Sequence, residues 1–155
     1  MDKLSVIIPA FNEGKYIGAC LETLRAHGGG LIGEILVIDN ASTDDTASAA
    51  AAHPGVRVIR EEKKGPSFAR QRGYMEARFP FLAFLDADCR ITADWARIIA
   101  EEFARDPSLV CLSGPYRYTK EDLPAPHYRL LSWFFWSIVA PATAAITRFA
   151  VTGGN

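Results

Sequence analysis

The chain contains two kinds of segment, short continuous apolar runs and longer stretches in which apolar and polar residues are mixed, and the two kinds follow one another in turn. Short apolar runs rich in β-branched residues are typical of strands buried on both faces of a sheet. Longer stretches with apolar residues three and four positions apart are typical of helices with one buried face. Because the two kinds of segment alternate, we expect an α/β fold with a mostly parallel sheet and helices on both faces. The short runs predict five strands, over residues 4–8, 34–38, 56–59, 81–85 and 109–113.

The first two predicted helices begin with residues that commonly cap helices. Asn12 is a candidate N-cap for a helix over residues 15–27, which ends at three consecutive glycines. Ser42, with Asp45 three residues later, resembles a capping box before an alanine-rich helix. If Ser42 fills that cap, the carboxylate of Asp39 is free for another role.

The other two predicted helices are marked by proline and by an apolar stripe. Gly65 and Pro66 begin a helix with small residues on one face, at Ala69, Gly73 and Ala77, which allows close approach to the sheet. A fourth helix starts near Thr92. Its apolar stripe is expected to face the core, and its charged residues are expected to face water. The stripe comprises Trp95, Ile98, Ile99 and Phe103, and the charged residues are Glu101, Glu102 and Arg105.

Composition narrows the possible functions. A chain of 155 residues suits one compact core, and a net charge of −1 argues against a general nucleic-acid binder. Its three cysteines have no CxxC spacing, so neither a disulfide framework nor a zinc site is predicted. No signal peptide is recognised at the start of the chain. We therefore expect the protein in the cytoplasm or on the cytoplasmic face of a membrane.

Polar residues follow three of the predicted strands, and they are the candidates for chemistry. They occupy residues 9–13, 39–42 and 86–88. Ligands of open α/β sheets bind beyond the carboxyl ends of the strands, so these segments are expected to meet at one edge. The side chains of Asp86 and Asp88 converge if the segment is extended, because residues i and i+2 face the same side. Such a pair suits Mg²⁺ or Mn²⁺ on a diphosphate, although two aspartates this close also occur in ordinary polar turns.

Three further side chains have both a functional and an ordinary interpretation. Asp39 could accept hydrogen bonds from a base or a ribose, or simply form a turn. Glu13 lies at the same edge, but it also suits the first turn of a helix. Arg70 could reach phosphates, hold an acidic residue at a strand end, or face solvent.

Four ordered motifs together resemble the family 2 glycosyltransferases. The resemblance implies the GT-A fold, a Rossmann-like sheet, with a nucleotide-sugar donor, a divalent metal (Mn²⁺ or Mg²⁺) and inversion at the anomeric carbon. The donor is expected to be a UDP-sugar. The motifs are VIIPAFNE at residues 6–13, EILVIDNASTD at 34–44, GPSFARQRG at 65–73 and FLDAD at 84–88.

The resemblance also implies roles for individual residues. Asp88 would ligate the metal on the diphosphate, and Asp86 would contact the ribose or metal-bound waters. Arg70 matches the arginine of the family's Ala-Arg-Asn segment. The base and ribose would be held around Pro9, Phe11, Glu13 and Asp39, and the donor sugar would lie beside Gly153 and Gly154.

The chain departs from the family pattern at three points. Asn40 stands where a second aspartate is frequent, and Gln71 replaces the usual asparagine. No carboxylate matches the general base that usually follows the glycine turn. We therefore expect a longer catalytic domain, in which residues 1–120 bind the nucleotide-sugar. Residues 121–155 would be an aromatic-rich helical segment leading to the glycine turn, at the start of the acceptor-side half.

Residues 130–147 carry no formal charge and include two tryptophans. They could form a buried helix pair, an interfacial helix facing lipid or a lipid-linked acceptor, or a membrane span. The predicted partners are thus a nucleotide-sugar and a carbohydrate or lipid-linked acceptor, with contact to a membrane surface left open. Two other functions compete with transfer. One is a non-catalytic module that binds nucleotide-sugars or associates with a membrane, and the other is a sugar nucleotidyltransferase.

Overall fold

The computed structural model of the protein describes residues 3–114, and a division between two units falls after Pro107. All helices and strands of the described range lie before this division. In chain order they are β1 Leu4–Ala10, α1 Gly14–His27, a 3₁₀ turn Gly29–Leu31, β2 Ile32–Asp39, α2 Thr46–Ala51, β3 Val56–Arg60, α3 Pro66–Glu76, β4 Phe81–Phe84 and α4 Trp95–Arg105.

The four strands are all parallel and lie in the order β3-β2-β1-β4. β1 lies inside the sheet, with neighbours on both sides, which explains why six of its seven residues are buried. Parallel strands bring their carboxyl ends to the same edge. The predicted α/β fold with a parallel sheet is confirmed.

Helices cover both faces of the sheet, as predicted. On one face, Val6, Ile8 and Val37 pack with the buried side of α1, and residues of α2 and α4 join the same cluster. On the other face, Ile7, Leu36 and Ile38 pack against α3. Each fully buried aliphatic side chain contributes about 1.5–3 kcal/mol.

The small-residue face of α3 fits against the sheet as predicted. Ala69 is fully buried, and a Cβ atom added at Gly73 would come within 2.2 Å of Cγ2 of Ile7. A larger residue at position 73 would push α3 away from β1. The close approach sets the position of Arg70, which follows Ala69 on this helix.

Both predicted helix caps are wrong. The N-cap of α1 is Glu13, and Asn12 adopts a left-handed conformation with φ 57°. The N-cap of α2 is Asp45, not Ser42. The side chains of Asn12 and Ser42 are used instead for contacts between loops that are about 30 residues apart in the chain.

The predicted fifth strand is also wrong. Residues 109–113 have no strand conformation, and no partner strand for them occurs in the described range. Val110 is 96% exposed, so the apolar run is not buried in a sheet. The fourth helix begins at Trp95 rather than Thr92. Ile98, predicted to face the core, is 45% exposed, and Glu102 is partly buried where exposure was predicted.

Several predictions concern residues outside the described range. These are the domain boundary near residue 120, the uncharged stretch 130–147 and the glycine turn at Gly153 and Gly154. Of the helices in residues 3–114, none combines the length and the apolar character needed to cross a bilayer.

Candidate functional site

The loops after β1 and β2 are joined by hydrogen bonds at the carboxyl edge of the sheet. The backbone N–H of Asn12 donates to Oγ of Ser42 (3.0 Å), and Oδ1 of Asn12 accepts from the N–H of Thr43 (2.8 Å). The N–H of Glu13 donates to Oγ1 of Thr46 (2.8 Å). The start of α1 is therefore held by the neighbouring loop, and Glu13 is fixed at the rim although its own side chain caps nothing.

Asn40 ties a third loop to this edge, a role that sequence reasoning missed. Its side-chain nitrogen donates to the carbonyl oxygens of Glu61 (3.1 Å) and Lys63 (2.8 Å). Its Oδ1 accepts from the N–H of Gly65 (2.7 Å), directly before α3. An aspartate could not donate these two bonds. The departure from the family pattern at this position thus has a structural explanation in this chain.

Asp39 is placed at the edge as predicted, but its carboxylate is not free. Its side chain is 1% exposed, accepts from the N–H of Ser42 (3.2 Å) and forms an ion pair with Arg60 (3.0 Å). The expectation of a free carboxylate rested on Ser42 capping α2, which it does not do. Arg60 was not among the predicted site residues, because only the pairing of β2 with β3 brings it beside Asp39.

Asp86 and Asp88 lie in a turn rather than an extended segment. The N–H of Cys89 donates to the carbonyl oxygen of Asp86 (3.0 Å), which closes the turn. The predicted alternation of side chains therefore does not apply, although Ala87 does point into the core with 3% exposure. Asp88 is exposed and forms no ion pair within residues 3–114.

Arg70 holds the first carboxylate of this turn. Its guanidinium donates to Oδ1 of Asp86 at 3.0 Å, with both side chains partly exposed. Of the three interpretations of Arg70, the structure shows the one in which it pairs with an acidic residue at a strand end. α3 is thereby connected to the turn after β4.

Negative charge accumulates where these loops meet. Burial raises the pKa of Glu13, and the carboxylates of Asp88, Asp44 and Asp86 raise it further. Glu13 and the two aspartates of the turn are therefore close enough to repel one another. Arg70 compensates part of this charge through Asp86, while Asp88 is left without a cationic partner in the described range.

Two cysteines lie beside the same turn, and both are poor nucleophiles. Burial raises the pKa of the Cys20 thiol to about 12, and burial likewise raises that of Cys89 to about 12, with nearby Asp88 and Asp86 adding to both shifts. The thiol of Cys20 donates a long hydrogen bond to the carbonyl oxygen of Asp86 (3.8 Å). Because the thiolate is the reactive form, neither group is suited to nucleophilic catalysis near neutral pH.

The donor set at this rim fits a hard divalent cation. Carboxylate oxygens are the ligands that Mg²⁺ and Mn²⁺ prefer. Within residues 3–114, no three His, Cys, Asp or Glu side chains are grouped so that they could enclose an ion. A cation held by Asp88 would therefore take its other ligands from phosphate groups and water, as Mg²⁺ commonly does.

An aromatic ring lies exposed next to the acidic rim. Phe11, directly after β1, is 47% exposed, and the ammonium group of Lys64 lies 5.6 Å from the centroid of its ring. Pro9 is partly buried near the end of β1. The edge thus combines the exposed ring of Phe11, the ammonium group of Lys64 and the carboxylates of Glu13, Asp86 and Asp88. Of the predicted site residues, only Gly153 and Gly154 lie outside the described range.

Comparison with known protein families identifies the chain. The model of the family described as glycosyl transferase family 2 matches residues 5–153, which is almost the whole length. The chain belongs to glycosyltransferase family 2. The match includes the strand-end segments described above and agrees with the resemblance seen in the four motifs.

This family 2 chain has relatives among bacterial glycosyltransferases. An uncharacterized glycosyltransferase of Mycobacterium tuberculosis is 37% identical over 101 residues, covering 64% of this chain and 44% of the relative. The chondroitin synthase of Escherichia coli is 33% identical over 113 residues, covering 70% of this chain and 16% of that enzyme. The chain spans less than half the length of these relatives.

Solved structures of GT-A glycosyltransferases share the fold of the family 2 chain. S. aureus TarS 1-349 in complex with UDP-GlcNAc has a TM-score of 0.63 and 25% identity, covering 74% of this chain and 37% of TarS. Glucosyl-3-phosphoglycerate synthase from Mycobacterium tuberculosis, with Mn²⁺ and UDP bound, has a TM-score of 0.52 and 27% identity. That match covers 57% of this chain and 36% of the synthase. The predicted GT-A fold is confirmed.

Proposed function

We propose that this chain forms the donor-binding part of a glycosyltransferase. The enzyme would move a sugar from a nucleoside-diphosphate donor, a UDP-sugar, to a hydroxyl group of an acceptor with inversion at the anomeric carbon. The observation that carries the proposal is the meeting of Glu13, Asp86 and Asp88 at one edge, with Arg70 bound to Asp86. The similar structures that contain UDP or UDP-GlcNAc support the choice of donor.

The proposed donor site assigns each group a distinct task. The exposed ring of Phe11 offers a surface on which a base can stack, next to Pro9 and the end of β2. Asp86, oriented by Arg70, faces the ribose or the waters around the cation. Gly153 and Gly154 stay assigned to the donor sugar by the family resemblance.

Asp88 is the residue proposed to hold Mn²⁺ or Mg²⁺. When bound, the cation would act as a Lewis acid and stabilise the charge that develops on the leaving diphosphate. The rim is suited to this because an exposed carboxylate faces solvent beside Glu13 with no cationic partner in the described range. The similar synthase structure, which contains Mn²⁺ together with UDP, supports a divalent cation as part of the donor site.

The acceptor side of the reaction stays a proposal without assigned residues. Inversion requires the acceptor hydroxyl to attack from the face opposite the diphosphate, and a carboxylate base would remove its proton. We propose a carbohydrate or lipid-linked acceptor, with residues 130–147 contacting the membrane surface on its cytoplasmic side. Flotation with liposomes tests the membrane contact, and a protein that stays entirely in the soluble fraction contradicts it.

Calorimetric titration with UDP tests the proposed donor site. We expect Mn²⁺ to strengthen UDP binding to the 155-residue chain, and we expect Asp88→Asn to remove most of this gain. Glu101→Gln is a matched control, because Glu101 is an exposed carboxylate on α4 that pairs with Arg97 of the same helix. If Asp88→Asn kept the full effect of Mn²⁺, Asp88 would not be the metal ligand. If the unaltered chain bound no nucleoside diphosphate, the proposed function would be wrong.

A further inference from the structure

The acidic turn belongs to an irregular stretch of the chain. β4 ends at Phe84 and α4 begins at Trp95, so residues 85–94 lie in neither a helix nor a strand. Such a segment takes its position from the neighbouring groups that satisfy its backbone N–H and carbonyl groups and from the core on which it packs. The place of Asp86 and Asp88 at the rim therefore depends on what holds this stretch.

Apolar contacts with α1 hold the stretch from the core side. Ala87 is 3% exposed and Ile91 is 6% exposed, and both belong to the cluster that contains the buried side of α1. Asp88, between them in the chain, is exposed. Apolar contacts are not directional, so they keep the stretch on the helix without fixing the orientation of its backbone.

Two residues on one face of α1 supply directional contacts. The N–H of Ile91 donates to Oγ1 of Thr23 at 3.2 Å. The thiol of Cys20, three positions earlier on the helix, donates to the carbonyl oxygen of Asp86 in a longer bond of 3.8 Å. The helix thus binds the backbone on both sides of Asp88, and the threonine makes the shorter of the two bonds.

The hydroxyl of Thr23 is oriented to accept this bond. Its proton is donated to the carbonyl oxygen of Cys20 in the same helix (2.9 Å). A hydroxyl has one proton and two lone pairs, so this bond leaves Oγ1 able to accept. Because the helix fixes the direction in which the proton points, it also fixes the direction of the lone pair that meets the N–H of Ile91.

We infer that Thr23 is a positioning residue for the acidic turn and keeps Asp88 in the orientation in which it meets the cation. This inference rests on the proposed function and adds a residue that acts through the backbone of Ile91. The family resemblance assigns no role to Thr23. The turn is held from both faces of the sheet, by Arg70 of α3 on one face and by Thr23 of α1 on the other.

Calorimetric titration of the 155-residue chain with UDP, with and without Mn²⁺, tests this role. The quantity compared is the gain in UDP affinity when Mn²⁺ is added. Thr23→Val keeps the shape of the side chain and removes the hydroxyl. We expect it to reduce the gain about 3- to 10-fold, the range that loss of one hydrogen bond produces, and to leave UDP binding without Mn²⁺ nearly unchanged. Thr23→Ser, which keeps a hydroxyl, should restore the gain.

Ser5→Ala is the matched control. The hydroxyl of Ser5 also donates one bond, to Glu34 (2.7 Å), and accepts one from a backbone N–H, that of Phe79 (3.1 Å), but it lies at the amino end of the sheet. Its loss should lower the free energy of unfolding in urea at least as much as Thr23→Val does. The gain from Mn²⁺ should not change, because a residue with only a structural role does not orient the turn.

Hydrogen exchange in the metal-free chain tests the contact itself. The amide of Ile91 should exchange faster in Thr23→Val than in the unaltered chain, because its acceptor is gone. An equal exchange rate in the two proteins would mean that the hydroxyl does not hold this backbone, and the inference would be wrong.

The binding outcomes distinguish the inference from the proposed function. If Thr23→Val kept the full gain from Mn²⁺, or if Ser5→Ala lost as much of it, Thr23 would not be a positioning residue. If Thr23→Val fails to fold, Thr23→Ala provides the same comparison, because alanine also lacks the hydroxyl and favours a helix. An unaltered chain that bound no UDP would overturn the proposed function itself, whereas the variants bear on Thr23 alone.

Discussion

Charged side chains are grouped at both ends of the same four-stranded sheet, and the two groups differ in how their carboxylates are neutralised. At the amino end, Glu34 accepts from Ser5 (2.7 Å), from Arg57 (2.8 Å) and from the N–H of Arg78 (2.6 Å). Burial raises the pKa of Glu34, but these three donors outweigh it, so the pKa is lowered overall. We call this group the amino-end network.

At the carboxyl end, the carboxylates repel one another. The pKa of Glu13 is raised by burial and by Asp88, Asp44 and Asp86 together. Of these three aspartates, only Asp86 forms an ion pair with an arginine in the described range, with 3.0 Å between Nη2 of Arg70 and Oδ1 of Asp86. The amino-end network carries its own cations, and its Arg57 also pairs with Glu76 of α3 (3.4 Å). Such a link between strands and a helix is what a structural group requires. The carboxyl end has an excess of negative charge at an exposed rim, which is what a site for an external cation requires.

Removing Glu34 should have the largest effect on stability. Glu34→Ala removes the acceptor of Ser5 and one of the two carboxylate partners of Arg57, which keeps Glu76. The Glu34 side chain is only 8% exposed. Breaking such a buried pair costs about 3 kcal/mol. Urea denaturation measures the loss, and UDP binding by the folded fraction should not change. Glu101→Ala, at an exposed pair on α4, should cost under about 0.5 kcal/mol. Equal stability of the two variants would mean that the amino-end network is not structural.

Asn40→Asp should have the next largest effect. The substitution removes two donors and places a carboxylate against the carbonyl oxygens of Glu61 and Lys63, at an expected cost of about 2 kcal/mol. Gln71→Glu makes the same chemical change at an exposed position on α3 and should be nearly neutral. The measurement is again urea denaturation. If Asn40→Asp were as stable as Gln71→Glu, the clamp on the loop before α3 would have no energetic importance.

Arg70→Met should weaken UDP binding while changing the free energy of unfolding only slightly. The Arg70–Asp86 pair is partly exposed, so its loss should change the free energy of unfolding by less than about 1 kcal/mol. The carboxylate of Asp86 would then be unoriented and would add to the repulsion at the rim. We expect UDP binding in the presence of Mn²⁺ to weaken about tenfold, or about 1.4 kcal/mol. A large loss of stability with unchanged binding would make the pair structural, like the amino-end network.

The pH dependence of stability should have opposite signs at the two ends. Glu34 has a lowered pKa, so its contribution is present above the usual glutamate value and is lost as pH falls below it through the folded-state value. Glu13 has a raised pKa, so its ionisation costs stability as pH rises from 4.5 through the higher folded-state value. The expected pH-dependent changes in the free energy of unfolding are smaller than the loss caused by Glu34→Ala.

Glutamine variants measured in urea between pH 7 and pH 3 check these signs. Glu34→Gln should be less stable than the unaltered chain at pH 7, with the difference shrinking on acidification. Glu13→Gln should be slightly more stable at pH 7 in the absence of divalent cations, and this difference should also vanish in acid. A Glu13→Gln variant that was less stable at pH 7 would contradict the excess of negative charge at the carboxyl end.

Local signals in the sequence located the four strands and four helices that form, but they predicted a fifth strand that does not form and missed the contacts between loops. The continuous apolar run of β1 and the Gly65–Pro66 start of α3 need no distant partner, and both predictions are correct. Cap preferences describe only a few neighbouring residues. Asn12 and Ser42 satisfy those preferences, yet each binds a loop about 30 residues away, because the parallel pairing of β1 and β2 brings the two loops together.

The candidate site was predictable where it depended on strand ends and unpredictable where it depended on register. The acidic edge follows from parallel strands and was predicted. The roles of Arg60 and Asn40 depend on which residues face each other across β2 and β3, which apolar periodicity does not encode. The segment 109–113 has the composition of a strand, but strand formation also needs a partner edge. No strand of the described sheet pairs with it.

Paramagnetic broadening by Mn²⁺ tests the contrast between the two ends most directly. Mn²⁺ added with UDP to the ¹⁵N-labelled chain broadens the amide signals of residues near the bound ion. We expect selective broadening at residues 12–14 and 86–89, with the signals of Glu34 and Arg57 unchanged. Broadening centred on the amino-end network, or spread evenly over the sheet, would contradict the assignment of the carboxyl end as the cation and donor site.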